Sequence, residues 1–216
     1  MNMMEIQRED RCPEAMGGDL AAACRYSSDG GHMTDRTKQL FAEKLQELAK
    51  TRPIKSIQVK DLCALCGMDR TSFYYHFKDK YDLVSWIFKQ NYIKEAKQAE
   101  VINDEQMICR MTRRLYAQRD FFLNALQDDS QNNLRQYMLD FYIETEKRAV
   151  CAYLGTDEPD EETWYEICNY SYGCMGHTID WLMKRNTLSP EKMAHYQYKF
   201  MPKILKEAFQ DAGKQK

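Results

Sequence analysis

The stretch Ile57-Gln58-Val59-Lys60-Asp61-Leu62-Cys63-Ala64-Leu65-Cys66-Gly67-Met68-Asp69-Arg70-Thr71-Ser72-Phe73-Tyr74-Tyr75-His76-Phe77 reads as two short helices joined by a sharp turn. Two helices that cross closely need a small side chain midway along the first, and Cys63 supplies it. The turn needs a residue tolerant of a left-handed backbone, and Gly67 supplies that. Asp69 is placed to cap the second helix. Phe73 and Phe77 stand at i and i+4 and share one face, so with Leu62, Cys66 and Met68 they close a miniature core. Arg70, Thr71, Ser72, Tyr74, Tyr75 and His76 remain, rich in hydrogen-bonding tips. A helix of this size and chemistry fits the major groove of DNA.

Outward from this motif the pattern is helix after helix. Upstream, a helix over about 35–51 places Leu40, Phe41, Leu45 and Leu48 on one face, is suited to capping by Thr34 or Asp35, and stops at Pro53. Downstream, a helix over 79–99 carries Leu83, Val84, Ile87, Phe88 and Tyr92 at helical spacing. Further helices are expected near 104–118, 120–128, 132–154, 160–185 and 190–212. No strand-like alternation persists, and 9 Gly and 5 Pro are too few for a many-turned β architecture. Residues 1–32, with two Gly-Gly pairs and no period, are expected to be a disordered arm, with Met33 as the natural start of the domain. The fold class is therefore all-α: a three-helix helix-turn-helix unit over 33–80 (motif 57–76), a linking helix over 79–99, and a helical bundle over 100–216.

The chain has 216 residues and a formal net charge of -2, which excludes a polybasic binder. The average conceals a split. Residues 33–100 hold 13 basic against 9 acidic side chains, whereas 1–32 hold 3 against 6 and 101–216 hold 15 against 18. A basic head between acidic flanks suits a modular DNA reader. No apolar run approaches the roughly 20 residues of a membrane span, and the first residues lack a signal-peptide pattern, so a cytoplasmic protein with no membrane partner is expected.

The match around Thr71-Ser72-Phe73-Tyr74-Tyr75-His76-Phe77-Lys78-Asp79-Lys80-Tyr81-Asp82-Leu83 resembles the TetR/AcrR family of transcriptional regulators, over about 35–95. The later Tyr172-Gly173-Cys174-Met175-Gly176-His177-Thr178-Ile179-Asp180-Trp181-Leu182, followed by Leu188-Ser189-Pro190-Glu191, is similar to a Firmicutes-type C-terminal domain whose subgroup includes dihydroxyacetone kinase operon regulators. The resemblance implies a homodimer on a palindromic duplex operator, usually as a ligand-responsive repressor; the subgroup also admits an activator working with a protein partner. It implies that Arg70, Thr71 and Tyr75 face bases or nearby backbone, with Ser72 on the same helix. Tyr74 and His76 would meet phosphates or pack beside them. Lys80 would hold a phosphate at a helix N-terminus, and Gln58 would lie near another, where the family usually has Thr or Ser.

Two further patterns carry alternatives. The stripe Trp164, Cys168, Ser171, Met175, Thr178, Leu182 and the face Met193, Tyr196, Phe200, Ile204, Ala208 suit either a dimer four-helix bundle or the core of one subunit. The aromatics Phe121, Phe122, Tyr137 and Phe141, with Tyr172, His177 and Trp181, would line an effector pocket or serve as plain core. Cys63-Ala64-Leu65-Cys66 is a lone CxxC, so the rival reading is a thiol or zinc enzyme. A structural zinc site needs four ligands and no second CxxC exists, so these thiols are expected to be helix packing, with no metal or cofactor. No phosphate loop, nucleophile elbow or HExxH supports an enzyme.

Overall fold

The computed structural model describes residues 31–127, 134–185 and 187–214. The described residues form ten α-helices: α1 (Gly31–Ala49), α2 (Val59–Cys66), α3 (Arg70–His76), α4 (Lys80–Gln98), α5 (Glu105–Ala117), α6 (Arg119–Leu126), α7 (Leu134–Leu154), α8 (Glu161–Leu182), α9 (Pro190–Lys199) and α10 (Lys203–Lys214). The expected arm lies outside the described residues except for Gly31 and His32, which open α1. Thr34 and Asp35 thus fall within α1 and do not precede it as caps. A helix anchored downstream by a buried face extends upstream until something breaks it, and Met33-Thr34-Asp35 contains no breaker.

The head is built around aromatic rings. Phe41 and Leu45 of α1 are fully buried, as are Leu62 of α2 and Phe73 of α3. The Phe41 and Phe73 rings meet edge to face at 5.2 Å, and Phe77 sits 5.6 Å from Phe73. Burying one such ring contributes about 2–3 kcal/mol, so these contacts set how α1, α2 and α3 cross. Pro53 ends the α1 exit and starts a single 3-10 turn, Ile54–Ser56, whose Ile54 is fully buried.

α4 belongs to both halves. Its Leu83, Val84 and Ile87 are buried, it packs on α1, and the ring of its Trp86 meets Phe77 of the head at 6.0 Å. Further along, Phe88 contacts the rings of Phe141 and Tyr142 on α7 at 5.7 and 5.8 Å, and Tyr92 reaches Phe141 at 4.9 Å. Near its end, Glu95 is 2% exposed and still charged-partnered. Arg110 Nε donates to it at 3.0 Å and Arg114 Nε at 2.9 Å, both from α5. A buried carboxylate held by two guanidinium groups ties α4 to α5 in one register.

In the body, α5 packs on α9, α7 on α8 and α10. Arg113–Glu191 (2.7 Å) and His195–Glu105 (3.0 Å) border the α5–α9 contact. The single helix expected over 190–212 is two helices. Pro202 has no N–H to donate and its ring blocks the preceding turn, so the chain breaks at Phe200-Met201-Pro202. The expected stripe divides with it: Met193 and Ala208 are buried, whereas Tyr196 and Phe200 face solvent.

Candidate nucleic-acid interface and internal cavity

The turn between α2 and α3 forms as the residues dictate. Gly67 has φ +64°, and the N–H groups of Gly67 and Met68 donate to Ala64 O (3.3 Å) and Cys63 O (2.9 Å), closing α2 with the bonds its last carbonyls need. Asp69 then accepts the Ser72 N–H at 2.7 Å and starts α3. At the other end of α2, the Gln58 N–H donates to Asp61 Oδ2 at 3.2 Å, and Arg52 donates to the same carboxylate oxygen at 2.9 Å. Gln58 therefore sits at the α2 N-terminus, as its N-cap.

α3 presents its outer face almost bare. Tyr75 is 80% exposed and Tyr74 56%, and Arg70 and Thr71 are also exposed. Ser72 and His76 are half-buried. The Tyr75 and His76 rings meet at 4.9 Å. Burial, reinforced by the charge of Lys38, holds the His76 imidazole below its ordinary value, so it is neutral at pH 7. Arg70, Thr71, Tyr74 and Tyr75 thus share one solvent-facing surface, and Ser72 contributes chiefly to the cap through its backbone. The Lys80 ammonium lies at the start of α4 and donates to Lys55 O (2.7 Å) and Ile57 O (2.9 Å). It therefore anchors the turn before α2.

The lone CxxC is part of this packing. Cys63 is buried and Cys66 half-buried. Burial pushes the Cys66 thiol up to about 11 and the Cys63 thiol above its ordinary value, the opposite of an activated thiolate. Among the described residues no group of three or more His, Cys, Asp or Glu side chains is placed to hold a metal ion. No helix among them is long and apolar enough to cross a membrane.

The body holds a cavity of about 70 Å³, open to solvent at its mouth, between α4, α5, α7, α8 and α9. Its apolar wall includes Met111 and Leu115 of α5, Met138 of α7 and Trp181 of α8. Its polar groups include Tyr142 and Glu146 of α7, Tyr170, Ser171 and Thr178 of α8, and Gln197 of α9. Trp181 is held by its indole N–H, which donates to Leu188 O at 2.7 Å. Glu146 is 4% exposed, and the Ser171 hydroxyl donates to it at 2.5 Å. Burial pushes the Glu146 carboxyl up to about 8, so it is mostly neutral at pH 7.

Of the seven aromatic and histidine residues expected around an effector pocket, the cavity wall contains Trp181. Phe121, Phe122 and Phe141 are buried in the core, and Tyr137 packs beside them. Tyr172 and His177 are exposed on the far side of α8. The reason is angular: on α8, residues 171, 175, 178 and 182 face inward, so 172 and 177 point about a quarter to half a turn away. Sequence reading missed Glu146. The sequence marks it as unusual, a glutamate four residues after Tyr142 and four before Val150 in an otherwise apolar stripe, but does not name its partner. Asn124 was missed in the same way, a lone polar residue inside Phe121-Phe122-Leu123-Asn124-Ala125-Leu126.

A trihelical head with a capped, aromatic-faced second motif helix, joined through one long helix to an all-α body, defines a helix-turn-helix DNA-binding regulator. Residues 46–86 match the family described as bacterial regulatory proteins, tetR family, and residues 103–203 match the TetR-type transcriptional regulator C-terminal region. The chain belongs to the TetR family of transcriptional regulators. Among solved structures it is similar in fold to a protein named dihydroxyacetone kinase operon activator DhaS, at a TM-score of 0.56 and 17% identity, over 81% of this chain and 97% of that one. No curated protein matches it in sequence.

Proposed function

We propose that the protein is a ligand-responsive repressor that binds a palindromic operator in the cytoplasm as a homodimer. The observation that carries the reading is the pairing of a bare recognition face on α3 with an internal cavity in the body, linked by α4 and α6. Arg70, Thr71 and Tyr75 read bases or adjoining backbone; Tyr74, His76, Gln58 and Lys80 position the head on phosphates. To meet a phosphate, Lys80 exchanges its two carbonyl partners for the anion.

The dimer contact we assign to the outer face of α8 with the α9–α10 break. Tyr165, Tyr172, Gly173, Gly176 and His177 lie on that face and are exposed, as are Tyr196 and Phe200. A cluster of exposed aromatics around two glycines suits close helix–helix approach. Two recognition helices per dimer then read two half-sites. Occupation of the cavity shifts the spacing of those helices, because the cavity wall includes α4, which also packs on α1 of the head, and α8, whose outer face we assign to the dimer.

The second reading is an activator that works with a protein partner, favoured by the name of the solved structure that shares the fold. Selection of bound duplexes from genomic fragments tests the proposal: a palindromic consensus is expected. A non-palindromic consensus, or none, overturns it.

A further inference from the structure

The cavity carries chemical information beyond its size. Glu146 is the only carboxylate among the described residues that line it, and none of those residues is Lys, Arg or His. The titratable groups around Glu146 are the hydroxyls and thiols of Tyr142 on its own helix and Cys168, Tyr170 and Cys174 on α8, with the Ser171 hydroxyl as its hydrogen-bond donor. Several of the other polar groups already have partners in the protein, as Thr112 Oγ1 does in donating to Ile108 O at 2.7 Å. Tyr170 Oη donates to Gln197 O at 3.1 Å, and Gln197 Nε2 donates to Thr178 Oγ1 at 3.0 Å. Tyr92 Oη donates to Asn103 Oδ1 at 3.1 Å. That leaves a carboxyl with one donor, when an ionised carboxylate accepts about four.

Rings share the cavity wall with this carboxyl. Tyr92, Tyr142, Tyr170 and Trp181 all contribute to the wall, and their negative faces favour a cation and disfavour an anion. A ligand carboxylate or phosphate would meet no positive charge and one potential negative charge. Resting on the reading of this cavity as the effector site, we propose that it takes an amphipathic amine. The cationic nitrogen sits on the Glu146 carboxylate, and an aromatic or aliphatic body packs against Met111, Leu115, Met138 and Trp181.

Binding then moves one proton. The Glu146 O–H bond breaks, the proton passes to solvent, and the carboxylate so formed pairs with the ammonium; no bond to the ligand is made. The buried acid acts as a selectivity device as well. A neutral or anionic molecule of the same shape leaves the proton in place and gains no ion pair.

The test uses three probes that share one body: 4-phenylbutylamine, 4-phenylbutanol and 4-phenylbutyrate. Calorimetry of the full chain at pH 7, in two buffers of different ionisation enthalpy, reads affinity and proton release together. The amine is expected to bind at least tenfold more tightly than the alcohol and the acid, with release approaching one proton per site. E146Q is expected to lose that tenfold preference while keeping the alcohol affinity. The wild-type proton count stands even if the variant fails to fold. Equal or tighter binding of the alcohol or the acid, an amine bound without proton release, or no binding of any probe overturns the proposal. Release of the selected operator is measured in parallel. Amine preference without operator release defeats the effector reading and leaves the site assignment intact; operator release by the alcohol alone does the reverse.

Discussion

The side-chain carbonyl of Asn124 accepts the backbone N–H of Ile54 at 2.9 Å, across the boundary between body and head. Its amide nitrogen donates to Ala49 O and Arg52 O, both at 3.2 Å. One side chain on α6 thus satisfies three backbone groups at the α1 exit. At the opposite end of α6, Arg119 donates to Leu182 O at 2.9 and 2.8 Å, next to the cavity wall at Trp181. α6 therefore touches the cavity's frame with one end and the head with the other.

Asn124→Ala leaves the N–H of the buried Ile54 without its partner. The expected cost is about 1–3 kcal/mol of stability, read from urea denaturation. Asn124→Asp keeps an acceptor for Ile54 but sets a carboxylate oxygen against the Ala49 and Arg52 carbonyls, so at neutral pH it should cost at least as much as the alanine variant. An alanine variant as stable as the wild type would show that α6 does not hold the head.

Glu95 should be among the least tolerant charged positions. Glu95→Gln leaves Arg110 and Arg114 with a neutral partner in a buried place, at an expected cost of about 3 kcal/mol. Equilibrium unfolding reads it. A change below about 1 kcal/mol, the range of an exposed pair, would mean that the cluster contributes no more than a surface ion pair.

The raised Glu146 carboxyl makes stability fall with pH. Its folded value of about 8 lies above its unfolded value near 4.5, so the folded state binds more protons between the two. Below pH 4.5 both states are protonated and the group is neutral to stability. From there to about pH 8 the unfolded chain gains by ionising, and stability drops at a limiting slope of about 1.4 kcal/mol per pH unit. E146Q should remove this dependence: it melts higher than the wild type at pH 8, and the gap closes toward pH 5. Parallel melting curves across that range would refute it.

On DNA, Arg70→Ala should change sequence preference by about 1–3 kcal/mol at one base pair and leave random duplexes little affected. Lys80→Ala should weaken all duplexes and lower the salt slope by about one. Because Lys80 also bonds Lys55 O and Ile57 O, this variant should lose some thermal stability too, which separates it from a pure phosphate contact. Fluorescence anisotropy over a salt series, with operator and random duplexes, checks both.

A Cβ added at exposed Gly176 meets no atom within 4 Å in the single subunit. Gly176→Leu should therefore leave the subunit folded, and its helix propensity is better than glycine's by about 1 kcal/mol. If the outer face of α8 is the dimer contact, the same change separates the subunits. Sedimentation is expected to report a dimer for the wild type and a well-folded monomer for the variant.

The head was legible because its constraints are local. Gly67, Asp69 and the Phe73–Phe77 pair act within a few residues of one another, so their spacing alone specifies the turn, the cap and the buried face. Helix periods in the body were legible for the same reason, and the Pro202 break could have been read from the proline itself. What lines the cavity was not legible. A period places residues on a face but does not say which neighbour covers that face, and so Tyr172 and His177 turned outward while Trp181 turned in. Glu146, Glu95 and Asn124 took their roles from partners 15 to 75 positions away, Ser171, Arg110, Arg114, Ile54, Ala49 and Arg52. A buried polar group is tolerated only where distant elements bring it a partner, and that pairing exists only once the helices have packed.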